Sequence, residues 1–385
     1  MDDKSKVPDW LEPTAGAPAP APPPPAPAKP GPEEPTDRGA RLLVDQLLKY
    51  DYHPVILCGT SNAGKTTALA SLCNFLKLSG RASVDFGPWP SDGGSSDNTS
   101  KLVQAKQLYH DLVDDFRRGL APKGTGAALP YVVPIEIMPT DDRAVRREAK
   151  GSGNLAPVRL AIMDMGGELF KPQPAVPGYR QPPTDVVEVL RLFSRSVSMV
   201  YMGPTTRLSG YKSNHDIRLE PHESESRDTA IMEDPDAALI NAIKGYEGVR
   251  PNRRSDRHLL VLSKWDLSVP VDQPAFGEPE RNLIEHEIDS RFPEAWAAYR
   301  SMRVHPRAKW LVQYSAGIIS DRSVTSYAKG SPERDRLDDY AMVMWNWLYR
   351  GATRSPQTPD GMVLFPELLP EELPFWRRVF TGRAG

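Results

Sequence analysis

Residues 59–66 read Gly59-Thr60-Ser61-Asn62-Ala63-Gly64-Lys65-Thr66, a complete G-x-x-x-x-G-K-[ST] pattern. Its glycines let a short loop curl so that backbone N–H groups converge on an anion, and a following helix adds its positive N-terminal end. Lys65 is then expected to reach the β- and γ-phosphates of a nucleotide. Thr66 is expected to ligate Mg²⁺, with Thr67 beside it in the phosphate-binding set. Such a loop has this meaning only between a strand and a helix. The run 54–58 (PVILC) before it has the length of a buried strand, and residues 65–78 (KTTALASLCNFLKL) repeat apolar side chains at helical period.

Three further clusters lie where strands are predicted to end. Asp164-Met165-Gly166-Gly167-Glu168 follows the strand 157–164. Asp164 is placed to hold the metal across the nucleotide from Thr66, and the Gly167 amide to donate to the γ-phosphate, where only a small residue permits close approach. Ser263-Lys264-Trp265-Asp266 follows the strand 258–263. A carboxylate at Asp266 accepts from guanine N1–H and N2–H₂; adenine has no such donor pair and leaves the acceptor unpaired, so guanine is favoured. Lys264 lays its aliphatic stem along the base. Ser315-Ala316-Gly317, after the strand 309–314, is positioned to meet the guanine carbonyl with backbone N–H groups.

GTSNAGKT, DMGGE, SKWD and SAG, in this order, resemble the translation-factor-like class of P-loop GTPases, which includes the Ras-like proteins. The resemblance spans roughly residues 50–350, and the long inserts with DMGGELF look like bacterial GTPases of paired-GTPase conflict or signalling systems. It implies Mg²⁺ and GTP or GDP as ligands, in-line attack of water on the γ-phosphate, and a Thr that closes over metal and phosphate. Thr125, in Pro122-Lys123-Gly124-Thr125, is the first candidate for that Thr and Thr99 the second. Glu168 stands where many relatives place a water-orienting Gln, which implies slow turnover. Lys123, Arg117 or Arg118 would supply the positive charge that a finger residue gives elsewhere. Ser263 replaces the usual Asn or Thr, which is expected to shorten a contact bracing the base loop against the phosphate loop. Three functional readings follow: a regulatory GTPase whose nucleotide state sets partner affinity, a nucleotide-binding scaffold with negligible hydrolysis, or, third, an ATPase in which Asp266 is incidental.

The elements that must position these groups are predicted as a helix over 40–49, the strand and helix at 54–58 and 65–78, a turn-rich stretch over 81–100, and a helix over 101–118. Strand candidates 131–138 and 157–164 read as an antiparallel pair. Next come a helix at 185–193, a strand at 196–202, a polar insertion over 205–257 around a helix near 235–246, a strand at 258–263, one helix over 279–300, a strand at 309–314 and a closing helix at 335–350. This alternation predicts an α/β fold: a mainly parallel sheet with one antiparallel edge strand and helices on both faces. The fold implied by the resemblance is that of a P-loop NTPase of Ras-like type, over 36–352, with insertions near 81–125 and 205–257.

Outside that domain, residues 12–35 concentrate much of the chain's 40 prolines and read as an extended arm, while 353–385 form an apolar tail. The motif Val7-Pro8-Asp9-Trp10-Leu11 suits a docking peptide for a protein partner. Phe365, Leu368, Leu369, Phe375, Trp376 and Phe380 of the tail are expected to pack on the domain, with binding to a partner as the alternative. No run approaches the length of a membrane span and the first residues lack a signal-peptide core, so a cytoplasmic location is expected. A net charge of −2 offers no general basic field for nucleic acid. Arg143, Arg146 and Arg147, and Arg250, Arg253 and Arg254, read as solvated loop clusters, and 285–289 (EHEID) as a solvated helix face. Neither His215 nor His222 has cysteine partners for zinc, and the only cysteines, Cys58 and Cys73, lie in segments expected to be buried.

Overall fold

The central strands are short apolar runs because both of their faces are covered. In β1 (His53–Gly59) all seven residues are buried, in β5 (Ser198–Pro204) all but the last, and in β6 (Arg257–Ser263) all but the first. The structure is a computed structural model. It describes residues 35–60, 63–80, 82–88, 96–122, 131–139, 158–164, 184–205, 234–250, 255–268, 278–304, 308–320 and 323–353.

With β2 (Ala82–Phe86), β3 (Tyr131–Pro139), β4 (Val158–Asp164) and β7 (Lys309–Tyr314), these strands form a seven-stranded sheet in the order β2-β3-β4-β1-β5-β6-β7. Pairings from β4 through β7 are parallel, and β3 pairs antiparallel with both β2 and β4. The reversed strand is therefore internal, and the edge next to it is β2, a strand within the stretch expected to be only turns. Its burial alternates, with Ala82 and Val84 inward and Ser83 and Asp85 outward. A half-exposed edge strand of five residues gives no apolar run to recognise. Tyr109 covers this edge by donating its hydroxyl to the Val84 carbonyl at 3.1 Å, which limits edge-to-edge pairing.

The helices are α1 (Pro35–Lys49), α2 (Lys65–Leu78), α3 (Ser96–Arg117), α4 (Thr184–Leu192), α5 (Pro235–Val249), α6 (Glu278–Arg291), α7 (Pro293–Ser301) and α8 (Pro332–Thr353). From β4 to β5, β6 and β7 the chain steps one way across the sheet, whereas β1 to β2 steps the other way. Right-handed crossovers then put the two sets of connecting helices on opposite faces. The packing agrees: α2 lies against α3 and α8, while α4 lies against α1 and α5, and α5 against α7. The point of reversal is at β1, where an open α/β sheet leaves a crevice beyond its strand ends.

Several expectations change. The helix expected over 279–300 is broken at Phe292 (φ −131°), with Pro293 opening α7, because proline removes a backbone donor inside a helix but suits a first turn. The stretch 205–257 is not wholly an insertion. In α5, Leu239, Ile243 and Tyr246 are buried in the core. Arg250, expected in a solvated cluster, is buried and ion-paired with buried Asp256, Nε to Oδ2 at 2.7 Å. It also donates to the carbonyls of Phe193 and Arg195, joining the ends of α4 and α5. Glu287, expected on a solvated face, is buried and accepts from Arg291 Nε at 2.6 Å. Cys58 and Cys73 are buried and neither forms a disulfide, and burial pushes the Cys73 thiol up to about 12. Among the described residues no helix is long and apolar enough to cross a membrane. The N-terminal motif, residues 12–34, His215, His222 and the tail beyond Thr353 lie outside the described residues, as do Arg143, Arg146, Arg147, Arg253 and Arg254.

Candidate functional site

At the end of β1 the backbone turns through Gly59 with φ +148°, and a Cβ there would sit 2.3 Å from the Met202 carbonyl oxygen. Only glycine allows this close approach of β1 to β5. The loop re-enters helix at Gly64, φ +78°, the N-cap of α2, whose first turn holds no acidic residue. The positive helix end therefore faces the strand ends without an internal carboxylate to neutralise it. Lys65 is buried and its ammonium donates to the Gly59 carbonyl at 3.0 Å and the Thr60 carbonyl at 2.8 Å. Thr66 and Thr67 are half-buried in the same turn, and Ala63 is fully buried. Ser61 and Asn62 lie outside the described residues.

The second cluster is placed by register. Asp164 ends β4 directly beside Leu57 of β1, so its backbone reaches the same edge as the loop. Gly167, Glu168, Lys123 and Thr125 lie outside the described residues. Thr99, the second switch candidate, falls within the first turn of α3 and not in a loop before β3. Arg117 and Arg118 are exposed at the end of α3. The chain just beyond them is fixed by Val324 N–H donating to the Gly119 carbonyl at 2.7 Å and by an antiparallel bridge between Leu120 and Ser323. These contacts join it to the short hairpin of β8 (Ile319–Ser320) and β9 (Ser323–Val324), which follows the Ser315–Gly317 loop.

The third and fourth clusters meet. β6 runs into a left-handed Lys264 (φ 55°) and a single 3-10 turn, Trp265–Leu267. Trp265 is fully buried, a core anchor, while Lys264 is exposed and Asp266 half-buried. The turn thus presents the two polar residues from either side of a fixed aromatic. Ser315 Oγ donates to Asp266 Oδ1 at 2.7 Å and itself accepts from Gly317 N–H at 3.1 Å. Burial raises the Asp266 carboxyl above its usual range, opposed by the Ser315 hydrogen bond, a backbone hydrogen bond and the Lys264 charge. Ala316 is half-buried against Ala70, Leu112 and Phe116.

Ser263 joins the halves. Its hydroxyl lies 2.6 Å from the Ala63 carbonyl and 3.2 Å from that of Gly203. The contact expected to be shortened by replacing Asn or Thr is made directly by the smaller side chain, because the strand ends bring Ala63 within reach. One residue escaped the sequence reading. Thr205, buried just past β5, donates its N–H to the Ser263 carbonyl at 2.8 Å, and its Oγ1 lies 2.7 Å from the Lys264 carbonyl and 3.0 Å from that of Ser263. Its only signal was position: it follows a buried strand at the edge where the other clusters collect.

The arrangement offers an anion cradle with a lysine at one end and a braced carboxylate at the other, separated by the end of β5. No cluster of three or more His, Cys, Asp or Glu side chains able to hold a metal exists among the described residues. No protein-family model matches the chain, and no curated protein matches it.

Proposed function

We propose that the chain is a P-loop GTPase of Ras-like type, which binds Mg-GTP, hydrolyses it slowly to GDP and phosphate, and uses the nucleotide state to set its affinity for a protein partner. The observation that carries this reading is the 2.6 Å hydrogen bond from Ser263 to Ala63. It ties a turn bearing an oriented carboxylate to a loop of phosphate-binding pattern, so that one molecule with a guanine at one end and phosphates at the other spans both.

In this reading Lys65 and the amides of residues 59–66 grip the β- and γ-phosphates, Asp266 accepts from guanine N1–H and N2–H₂, Lys264 covers the base, and the amides at Ser315 and Ala316 meet its carbonyl. Thr66 and Asp164, with Thr125 closing over them, would hold Mg²⁺; the fit rests on a hydroxyl in the first turn of α2 and a carboxylate residue ending the adjacent strand β4. The ion supplies charge neutralisation at the phosphates. The Gly167 amide would donate to the γ-phosphate and Glu168 orient the attacking water. Two buried cysteines outside any disulfide suit a reducing compartment such as the cytoplasm. The charge of Glu168 near an anionic γ-phosphate favours a second reading, a nucleotide-bound scaffold that works through its Pro-rich arm and aromatic tail with negligible hydrolysis.

Calorimetric titration with GTP, GDP and ATP in Mg²⁺ tests the core of this. Lys65→Ala should weaken all three. Asp266→Ala should lower guanine affinity at least about a hundredfold, the loss of two charge-assisted hydrogen bonds, and leave ATP unchanged. Wild-type protein that holds ATP as tightly as GTP refutes guanine recognition. Equal partner capture with GDP and with a non-hydrolysable GTP analogue refutes the switch in favour of the scaffold.

A further inference from the structure

Lys264 is one of only two non-glycine residues with positive φ among those described. A lysine stays left-handed only where its surroundings over-determine it. The two carbonyls that flank this conformation, those of Ser263 and Lys264, both face Thr205. The Thr205 N–H serves the Ser263 carbonyl, which leaves the single hydroxyl proton for the Lys264 carbonyl at the shorter distance, 2.7 Å. That carbonyl also accepts from Leu267 N–H at 2.9 Å, the bond that closes the 3-10 turn carrying Asp266. Thr205 is 1% exposed, so water does not stand in for its hydroxyl.

We propose that Thr205 is the positioning residue for base recognition: its hydroxyl locks the peptide after Lys264, and so aims the Asp266 carboxylate at the purine edge. Ser315 holds the far side of that carboxylate, and Thr205 holds the backbone that delivers it. The inference rests on the guanine reading above. Two donors on one base edge require the carboxylate within a few tenths of an ångström, whereas adenine makes no use of it. A loosened turn therefore weakens guanine selectively.

Nucleotide affinities of Thr205→Val, which keeps the shape and the N–H but removes the hydroxyl, decide the matter, with Thr205→Ser as the rescue. Expected is a loss of about tenfold for GTP and GDP in the valine variant, the worth of one buried hydrogen bond, with ATP affinity unchanged and the serine variant close to wild type. Guanine and ATP affinities that fall together mark a merely structural residue and overturn the proposal, as does a valine variant that discriminates like wild type. Should Thr205→Val not fold, Thr205→Cys carries the same test: its weak donor predicts an intermediate ratio, and wild-type discrimination overturns the inference. If the wild-type chain prefers guanine through Asp266 and these variants keep that preference, only the role of Thr205 falls. A wild-type chain without guanine preference sinks both.

Discussion

His258 sits fully buried at the start of β6, stacked on Tyr201 and edge-on to Tyr246, with the charges of Lys309 and Arg250 nearby. Burial first, and those two cations next, push its pKa from 6.5 down to about 3. Its Nδ1 lies 3.3 Å from the Tyr201 hydroxyl, while Nε2 has no hydrogen-bond partner. Because the folded pKa is depressed, the unfolded chain binds this proton first. The stability contribution is complete above 6.5 and is lost as pH falls through 6.5 toward 3. At pH 5 the unfolded chain gains about 1.5 pH units of protonation free energy, about 2 kcal/mol at 1.36 kcal/mol per unit. His258→Phe keeps a ring between the tyrosines and removes the titration. Urea unfolding of both proteins at pH 7.5 and pH 5 should show the phenylalanine variant gaining about 2 kcal/mol relative to wild type on acidification, whatever the offset at neutral pH. A stability difference that stays constant across this range, or an imidazole that titrates near 6.5 in the folded protein by NMR, refutes the argument.

Two other outcomes follow from buried charge. Asp256→Ala leaves the Arg250 guanidinium buried without its carboxylate and removes the acceptor for Val197 N–H and the Tyr246 hydroxyl; urea unfolding should show a loss of about 3–5 kcal/mol, and a loss below about 1 kcal/mol contradicts the burial of the pair. On the proposed guanine reading Asp266 must be ionised to accept from the base, and burial raises its carboxyl, so GDP affinity should fall with acidification at a pH above the ordinary carboxylate range while ATP affinity stays level. A GDP affinity that holds until that ordinary range is reached counts against Asp266 as the base acceptor.

What was legible in the sequence follows from how many faces each segment buries. The helix at 65–78 and the strand at 309–314 coincide with α2 and β7, the run at 258–263 falls one residue short of β6, and that at 54–58 falls one residue short of β1 at each end, because a segment covered on both faces or along one helical stripe must be apolar at fixed period. β2 was hidden because an edge strand buries alternate residues only, and its Ser83 and Asp85 look like loop. The break at Pro293 was hidden within a charged helical pattern that continues on both sides of it. Arg250 looked solvated because its partner Asp256 is separated from it by further arginines, and only the fold turns both inward. Lys65, Ser263, Asp266 and Ser315 were readable as residue types at strand ends. The hydrogen bonds of Ser263 to Ala63 and of Ser315 to Asp266 were not, since a hydroxyl's partner depends on distances between strands remote in sequence. Thr205 had no pattern of its own.

That remoteness bears on how the site is held. Ala63 and Ser263 are 200 residues apart, yet their strands are separated in the sheet only by β5. From the end of β6 one hydroxyl reaches the Ala63 carbonyl in the loop after β1 and the Gly203 carbonyl in β5, and Thr205 answers from just past β5 to the end of β6. Such closeness needs the intervening strand to carry no bulk: a Cβ at Gly203 would lie 2.8 Å from the ring of Phe292, which packs beneath the strand end. The cost of bringing such distant segments together grows only slowly with loop length and is met once, when the central sheet assembles. After that, each added hydrogen bond between strand ends opposes little further chain entropy. The candidate site is thus a property of three adjacent strands and not of any one loop, and opening any of them separates the carboxylate end from the anion cradle. A ligand that bridges the two ends would oppose that opening in the same direction as Ser263 does, and would raise the stability of the whole sheet in proportion to the logarithm of its concentration above Kd.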